Sequence, residues 1–346
     1  MKGLVLTSLH NVELKEVPKP VIVESSDVIV RITATTICGS DLHFIHGVIP
    51  STPGYVLGHE YTGIIEQVGS SVKYFKPGDR VVGPPAPYCG CCENCKNGYF
   101  SHCVNGSVTK MHGGGVLPGT HSEFIRVPFA DICMHHIPDA LTDEQALFIP
   151  DILSTGFSGV LRTKIRPGDN VVVFGAGPVG LCAVATAKLF SPKSIILVGR
   201  KDKFRIEMGK TMGATHVICA TEEDVLGTIN NITEGRGANC AIDASGSTEA
   251  IQQAVKCVGV YGKVSLIGIS AGNVELPLPE IFYKNVHLSM GLGDLTHIEN
   301  LMSIIQSGKL NLSPLITHRM KLIDIVKAIK LFEDRNENVV KIVLTP

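Results

Sequence analysis

The pattern of apolar and polar positions changes in character about 150 residues into the chain. Before that point, short runs typical of β-strands alternate with turn residues, as in residues 28–32, 63–68 and 80–82. Few long helical periods interrupt these runs. The first part of the chain is therefore predicted to be a β-rich lobe that carries its functional residues on loops.

After about residue 155, strand-like and helix-like segments alternate along the chain. Strands are predicted over 170–174, 194–198, 216–218, 240–243, 263–267 and 287–290, with helices over 179–190 and 203–212. This alternation is typical of a doubly wound parallel sheet. The tail, with a helix predicted over 321–332 and a strand over 339–344, is too short to fold alone and is expected to return to the first lobe.

Size and composition limit the classes of protein to consider. A chain of 346 residues exceeds one ordinary core, so about two domains are expected. A net charge of -1 argues against a nucleic-acid partner. Eleven cysteines, an odd number, and the lack of a secretory segment at the start favour reduced thiols. No apolar run approaches the roughly 18 residues that a membrane span needs, so we expect a cytoplasmic protein.

A glycine-rich turn joins the predicted strand 170–174 to the predicted helix that follows. It consists of Gly175, Ala176, Gly177, Pro178, Val179 and Gly180. The first glycine of such a motif permits a tight turn, the second lets the backbone approach a pyrophosphate, and the third allows close packing of helix on strand. Free N–H groups at the helix N-terminus favour an anion. A dinucleotide cofactor is predicted, with a purely structural turn as the alternative.

The end of the next predicted strand indicates which dinucleotide binds. Gly199, Arg200 and Lys201 follow this strand, and the first carboxylate is Asp202. An acidic residue at the strand end would favour NAD(H), whereas a glycine followed by an arginine can accommodate a 2′-phosphate. NADP(H) is therefore favoured over NAD(H). In the alternative, Arg200 and Lys201 form a solvated loop and Asp202 binds the ribose.

Four cysteines in the first lobe have the spacing of a closed metal site. They are Cys89, Cys92, Cys95 and Cys103. Four thiolates complete a tetrahedral zinc shell without an open position, which is the arrangement of a structural zinc site. A redox or iron–sulfur cluster is an alternative, and so is a zinc site in which Cys91 replaces Cys92.

A second, open metal site is predicted from residues that are far apart in the sequence. Cys38 and His59 supply a thiolate and an imidazole, and Asp151 is the best candidate for a third ligand. Asp151 precedes the second domain, where the cleft between the domains is expected. Glu60 either replaces a ligand or lies just behind the metal. In the alternative interpretation, Cys38 and His59 are ordinary buried residues.

These motifs, in this order, resemble the zinc-dependent medium-chain alcohol dehydrogenases. The resemblance covers essentially the whole chain and rests on residues 36–43, 58–60, 89–103, 150–156 and 175–180. It implies an α/β protein in which a GroES-like, β-rich catalytic domain accompanies a Rossmann cofactor-binding domain with a doubly wound parallel sheet. The implied boundaries are 1–152 with 292–346 for the catalytic domain and 153–291 for the cofactor-binding domain.

The resemblance also implies roles for individual residues. Cys38, His59 and Asp151 correspond to the ligands of a catalytic zinc ion. Ser40 is similar to the hydroxyl that bonds the substrate oxygen, and His43 to the outer end of a proton relay. Asp41 resembles the carboxylate that orients the ligand histidine. Solvated turn residues are the alternative for Ser40, Asp41 and His43. Two further residues, Thr155 and Gly268, complete the predicted cofactor-binding set.

The implied activity is hydride transfer between an alcohol, expected to be secondary, or its ketone or aldehyde, and NADP(H). Two Zn²⁺ ions are expected per subunit, one catalytic and one structural. Asp151 and the Gly199–Arg200 pair are similar to the residues at these positions in the bacterial, NADP-dependent secondary-alcohol branch of the family. The sequence differs from that branch in having all four lobe cysteines, which the bacterial enzymes generally lack. A polyol, 2,3-butanediol or threonine dehydrogenase that uses NADP(H) or NAD(H) is one alternative. A non-catalytic zinc- and nucleotide-binding protein is another. A homotetramer is expected, with a homodimer as the alternative.

Overall fold

The computed structural model describes residues 1–335 and 337–346, the side chain of Val108 excepted. These residues form two compact units. The first comprises Met1–Asp151 and Asp294–Pro346, and the second comprises Ile152–Gly293.

Strands and helices are numbered separately in chain order over the described residues. The strands are β1 (Lys2–Ser8), β2 (Asn11–Glu16), β3 (Val28–Thr36), β4 (Tyr61–Val68), β5 (Arg80–Val82), β6 (Phe124–Val127), β7 (His135–His136), β8 (Asn170–Phe174), β9 (Ser194–Gly199), β10 (His216–Cys219), β11 (Ala238–Asp243), β12 (Val258–Leu266), β13 (His287–Met290), β14 (Ile316–Lys321) and β15 (Lys341–Thr345). The helices are α1 (Gly39–Ile45), α2 (Glu93–Lys96), α3 (Ala130–Cys133), α4 (Asp143–Leu147), α5 (Ser154–Thr163), α6 (Pro178–Ala187), α7 (Lys203–Met212), α8 (Val225–Ile232), α9 (Thr248–Cys257), α10 (Leu278–Phe282), α11 (Ile298–Gln306) and α12 (Ile325–Asp334).

The second unit contains a parallel sheet in the order β10-β9-β8-β11-β12-β13. All five residues of β8 are buried, as expected for a strand that helices cover on both faces. Val172, Ile196 and Ala241 belong to the same buried core. The predicted α/β class with a doubly wound parallel sheet is confirmed.

The first unit is built on a mixed sheet in the order β14-β15-β3-β4-β5-β7, with β6 also paired to β3. Strand β15 runs antiparallel to β3, with Val343 opposite Thr36. The last strand of the chain therefore lies beside the end of β3. Cys38, the N-cap residue of helix α1, follows only two residues after that end.

Two of the predicted helices need correction at their boundaries. The helix predicted over 321–332 begins only at Ile325, because residues up to Lys321 pair with β15 as strand β14 and a 3₁₀ turn follows at Leu322–Asp324. Pairing with a distant strand decides the conformation there. The helix predicted over 179–190 ends as an α-helix at Ala187 and continues as a 3₁₀ turn.

Among the described residues, no helix has the length and the apolar character needed to cross a bilayer.

Candidate active site

Three side chains from distant parts of the sequence converge in the first unit. Cys38 Sγ lies 3.6 Å from Asp151 Oδ2, and His59 Nε2 lies 3.4 Å from the same oxygen. Zinc bonds of about 2.3 Å to sulfur and about 2.1 Å to nitrogen or oxygen, at tetrahedral angles, would separate these atom pairs by about 3.6 and about 3.4 Å. The donor atoms therefore have the spacing of ligands to one zinc ion.

The electrostatics of this cluster also fit a divalent cation. Burial raises the pKa of the Cys38 thiol, and the nearby carboxylates of Asp151 and Glu60 raise it further. Burial alone would lower the pKa of His59, yet Asp41 and Asp151 raise it well above its usual value. A zinc ion at this position would stabilise the thiolate and the carboxylates together, and leave the imidazole neutral as a ligand.

Asp41 connects the two ligand-bearing segments. Its side chain is fully buried, with Oδ1 3.3 Å from His59 Nδ1. Its other oxygen, Oδ2, accepts the backbone N–H of Cys38 at 2.9 Å. Burial would raise the pKa of Asp41, but the neighbouring histidines His59 and His121 hold it well below its usual range. The carboxylate faces His59 Nδ1, so Nε2 is the nitrogen left to face Asp151.

Helix α1 brings two further predicted residues to this region. The Ser40 hydroxyl lies 3.3 Å from Cys38 Sγ and 3.2 Å from His59 Nε2. His43 is half-buried on the same helix, and burial, followed by the charge of His46, lowers its pKa. Ser40 is thus in contact with the donor cluster, whereas His43 lies one helical turn farther along α1.

Glu60 contributes to the donor group but is already engaged in an ion pair. A carboxylate oxygen of Glu60 lies within 4.8 Å of the donor atoms of Cys38, His59 and Asp151. Lys341 Nζ donates to Glu60 Oε1 at 2.6 Å and to the carbonyl of Ile37 at 3.0 Å. Both charged side chains have 0% exposure. Burial raises the pKa of Glu60 to about 7, against the opposing effect of Lys341.

The four lobe cysteines also converge in the first unit. Cys103 Sγ lies 3.6 Å from Cys89 Sγ and 4.0 Å from Cys92 Sγ, close to the about 3.8 Å expected between thiolates on one tetrahedral zinc ion. Cys95 completes the group, whose donor atoms all lie within 4.8 Å of one another. Cys91 is exposed, although its Sγ is 3.5 Å from that of Cys89. The geometry therefore favours the set with Cys92 over the alternative with Cys91.

The glycine-rich turn of the second unit has a backbone that explains its composition. Gly175 has a φ of +103°. A Cβ on Gly180 would lie 1.8 Å from the carbonyl oxygen of Gly175, so the close contact of helix and turn excludes any side chain. A Cβ on Gly177 would meet nothing within 4 Å. Helix α6 begins at Pro178, followed by Val179. Gly177 therefore leaves open space at a helix N-terminus, as an approaching phosphate requires.

Of the residues at the end of strand β9, some are engaged in the fold and others are exposed. A Cβ on Gly199 would lie 2.3 Å from Ile206 Cγ1, so packing of helix α7 on the strand is sufficient reason for this glycine. Asp202 caps α7 by accepting the backbone N–H of Arg205 at 3.1 Å. Arg200 and Lys201 are exposed, and in the described part of the chain no hydrogen bond or ion pair involves the Arg200 guanidinium. Arg200 is available to a ligand, whereas Asp202 is already used.

Thr155 and Gly268 both lie in the second unit, and both have neighbours there. Thr155 Oγ1 would be 2.7 Å from a Cβ on Gly293. A Cβ on Gly268 would lie 2.2 Å from the backbone nitrogen of Gly246. Close packing against the turn after β11 is therefore sufficient to require a glycine at 268.

Two residues of the cluster region were not identified from the sequence. Lys341 pairs with Glu60, and His121 Nε2 lies 3.2 Å from Asp41 Oδ2. Neither belongs to a local motif. For Lys341 one signal existed, because a single lysine interrupts the apolar run over residues 339–344.

Comparison with known proteins identifies both parts of the chain. Residues 24–139 match the model described as alcohol dehydrogenase GroES-like domain, and residues 178–307 match zinc-binding dehydrogenase. An alcohol dehydrogenase of Cupriavidus necator is 34% identical over 100% of this chain and 99% of its own length. The NADP-dependent isopropanol dehydrogenase of Thermoanaerobacter brockii is 34% identical, with 99% and 98% covered.

A solved structure has the same fold over the whole length. The alcohol dehydrogenase from Thermus sp. ATN1 matches with a TM-score of 0.94 and 33% identity, covering 100% of this chain and 99% of that one. These matches make the chain an oxidoreductase that acts on alcohols or carbonyl compounds and uses zinc and a nicotinamide cofactor. The chain belongs to the zinc-dependent medium-chain alcohol dehydrogenase family.

Proposed function

We propose that this enzyme interconverts a small secondary alcohol and its ketone with NADP(H), and that Cys38, His59 and Asp151 hold the catalytic zinc ion. The observation that carries the proposal is the placement of Asp151 Oδ2, 3.6 Å from Cys38 Sγ and 3.4 Å from His59 Nε2. This third ligand is a carboxylate, the feature that the sequence shares with the secondary-alcohol branch.

The surrounding residues supply orientation and proton transfer. Bound zinc acts as a Lewis acid toward the substrate oxygen. Asp41 fixes the orientation of His59 through Nδ1. The Ser40 hydroxyl, which already contacts the donor cluster, accepts the proton of the alcohol and passes it toward His43. His43 has a lowered pKa, so its neutral form can accept a proton at neutral pH.

For the cofactor, the proposal assigns Gly175, Gly177, Pro178, Val179 and Gly180 to the pyrophosphate and Arg200, with Lys201, to the 2′-phosphate of NADP(H). The guanidinium of Arg200, which is exposed and pairs with none of the described residues, supports this assignment, and so does the engagement of Asp202 as a helix cap. Thr155 and Gly268 complete the proposed cofactor site. The similar isopropanol dehydrogenase is NADP-dependent, which is consistent with this preference.

We further propose a structural zinc ion on Cys89, Cys92, Cys95 and Cys103, and assembly of the chain into a homotetramer. An exposed apolar patch supports self-association. Val260, Tyr261, Phe282 and Tyr283 are 71%, 64%, 75% and 85% exposed. The Tyr261 N–H donates to the carbonyl of Lys284, so the two segments that carry these side chains are adjacent, and exposed apolar patches commonly mark protein interfaces. Light scattering on the purified protein would measure the number of subunits, and a monomer at micromolar concentration would contradict this part of the proposal.

The variant C38S tests the metal-centred mechanism. It should lose one zinc ion per chain and nearly all turnover, while NADPH binding, followed by fluorescence, stays close to that of the native protein. C133S is the matched control, because Cys133 is a fully buried thiol of the same unit outside both clusters. Unchanged turnover in C38S would reject the proposed mechanism.

A panel of ketones, aldehydes and polyols, assayed with NADPH or NADH for reduction and NADP⁺ or NAD⁺ for oxidation, tests the substrate and the cofactor. The proposal expects the highest kcat/KM for small ketones with NADPH. Higher activity on vicinal diols or threonine with NAD⁺ would instead support the polyol or threonine dehydrogenase alternative.

A further inference from the structure

A second imidazole lies on the far side of Asp41 from His59. His121 Nε2 is 3.2 Å from Asp41 Oδ2, and its side chain has 0% exposure. Its other nitrogen, Nδ1, lies 3.2 Å from Thr35 Oγ1. Asp41 Oδ1 faces His59 Nδ1 at 3.3 Å. One buried carboxylate is therefore held between two buried histidines, of which only His59 is a candidate zinc ligand.

His121 also contacts the backbone that carries His59. A Cβ on Gly58 would lie 2.6 Å from the His121 ring, and Gly58 has a φ of +97°. The His121 N–H donates to the carbonyl of Leu57 at 2.9 Å, and the Thr120 N–H donates to that of Gly58 at 2.9 Å. The segment before His59 is thus paired with the segment that carries His121. The position of His121 relative to His59 is fixed by backbone as well as side chain.

We propose that His121 is a positioning residue of the zinc centre: it donates Nε2–H to Asp41 Oδ2 and so holds Oδ1 toward His59. The proposal rests on the zinc site of the proposed function. A carboxylate turns readily about its terminal torsion. Here the Cys38 N–H and His121 both occupy Oδ2, which leaves Oδ1 for His59. Removing Asp41, the outer partner of the ligand His59, would typically lower metal affinity by about 10–100-fold, and the bond from His121 acts through that same carboxylate.

The alternative is that His121 only fills space, and the chain offers a matched residue with which to test this. His112 is also a histidine of the first unit with 0% exposure. Its Nδ1 lies 3.2 Å from the carbonyl of Pro118, and its ring packs edge-on against Tyr61 at 5.9 Å. Its ring bonds neither Asp41 nor a candidate ligand among the described residues. A substitution of His112 therefore removes a buried imidazole but leaves the bond between His121 and Asp41 in place.

Two substitutions of His121 separate its two hydrogen bonds. The amide of H121N can replace Nδ1 toward Thr35 but is too short to reach Asp41. The amide of H121Q can replace Nε2 and keep a donor on Asp41. A chromogenic chelator follows the release of zinc from the zinc-loaded protein. The kinetic phase of release that is missing in C38S is assigned to the zinc ion at the Cys38 site. Cobalt is then substituted at that site to record its visible spectrum.

We expect H121N to release the Cys38-site zinc about tenfold faster or more and to shift the cobalt spectrum. H121Q should stay within about threefold of the native rate, and H112N should match the native protein. Equal rates in H121N and H112N would overturn the proposal. Equal losses in H121N and H121Q would also overturn it, because the donor on Asp41 would then be irrelevant.

A folding failure is distinguished with a further variant. H121M fills a similar volume without a donor and should behave as H121N does. If H121N and H121M do not fold without metal while H121Q does, the bond to Asp41 is a folding contact and the proposal is overturned. The readout is metal release and a spectrum rather than turnover. Turnover therefore tests the proposed reaction, whereas zinc release and the cobalt spectrum test the role of His121.

Discussion

The ion pair between Lys341 and Glu60 combines two charges that are both removed from water. Lys341 Nζ also bonds the carbonyl of Ile37, the residue before Cys38, so one ammonium group is tied to both ligand-bearing segments. Among the described residues, Glu60 Oε2 has no hydrogen-bond partner. Removing one member of a buried pair is costly, typically about 3–5 kcal/mol, because the other charge is left uncompensated.

K341M should therefore reduce the free energy of unfolding of the metal-free protein by at most about 3–5 kcal/mol, measured by urea titration, because protonation of Glu60 can relieve part of the uncompensated charge. The double variant K341M/E60Q should recover part of this loss, because the uncompensated carboxylate is gone. K327M, at an exposed lysine of the same unit, is the control and should change stability by less than about 0.5 kcal/mol. A loss in K341M no larger than in K327M would show that the pair does not stabilise the protein.

The cofactor preference is predicted to depend on Arg200. R200A removes a charge-assisted contact, which is typically worth about 1.5–3 kcal/mol. This corresponds to a loss of about 10–100-fold in kcat/KM with NADPH, whereas kcat/KM with NADH should change little. R236A, at another exposed arginine of the second unit, should leave both values unchanged. A similar loss with both cofactors would contradict the assignment of Arg200 to the 2′-phosphate.

At the scale of elements, the cysteine lobe is a segment with little regular structure, of which helix α2 has only four residues. Its stability is therefore expected to depend on its metal. C95S should lose one zinc ion per chain and melt at a lower temperature, whereas C91S should keep both zinc ions and the native melting temperature. Metal analysis and calorimetry measure these two quantities. Zinc loss in C91S would instead favour the ligand set that includes Cys91.

The sequence predicts more of the strands than of the helices, because buried strands are recognisable as short apolar runs. Apolar runs of the parallel sheet, such as β8, are buried on both faces and can be recognised without knowing their neighbours. Helix α7 was predicted with its bounds, but α8 and α9 were not predicted. Their first turns are capped by Asp224 and Ser247, which accept backbone N–H groups of the third residue, so a local signal was present.

Each site residue that could be predicted from the sequence lies in a recognisable motif, even where the motifs are far apart. Cys38, His59 and the four lobe cysteines follow recognisable spacing, and the sequence proposed Asp151 for the same cluster, where the structure places it. Lys341 and His121 act on residues that are distant in the sequence. Their contacts depend on β15 returning to β3 and on the segment around Thr120 pairing with that around Gly58. Pairings of this kind are set by tertiary structure rather than by local pattern.

At the scale of the whole molecule, the buried His112 makes the stability of the fold fall in acid. Burial lowers the pKa of His112 from 6.5 to about 4. Between these two pH values the unfolded chain binds a proton that the folded chain does not. The free energy of unfolding therefore falls as pH falls from about 6.5 to about 4, by about 1.4 kcal/mol per pH unit. Above pH 6.5 this contribution is fully present.

The variant H112N isolates this contribution, because asparagine does not titrate and can still donate to the carbonyl of Pro118. Urea unfolding of the metal-free proteins is compared at pH 8 and pH 5. The native protein should lose about 2 kcal/mol more than H112N on acidification, since pH 5 lies about 1.5 units below the unfolded pKa. Other acid-sensitive groups, such as the buried Asp41, are common to both proteins and cancel in the difference. Equal losses in the two proteins would show that His112 is not held neutral by the fold.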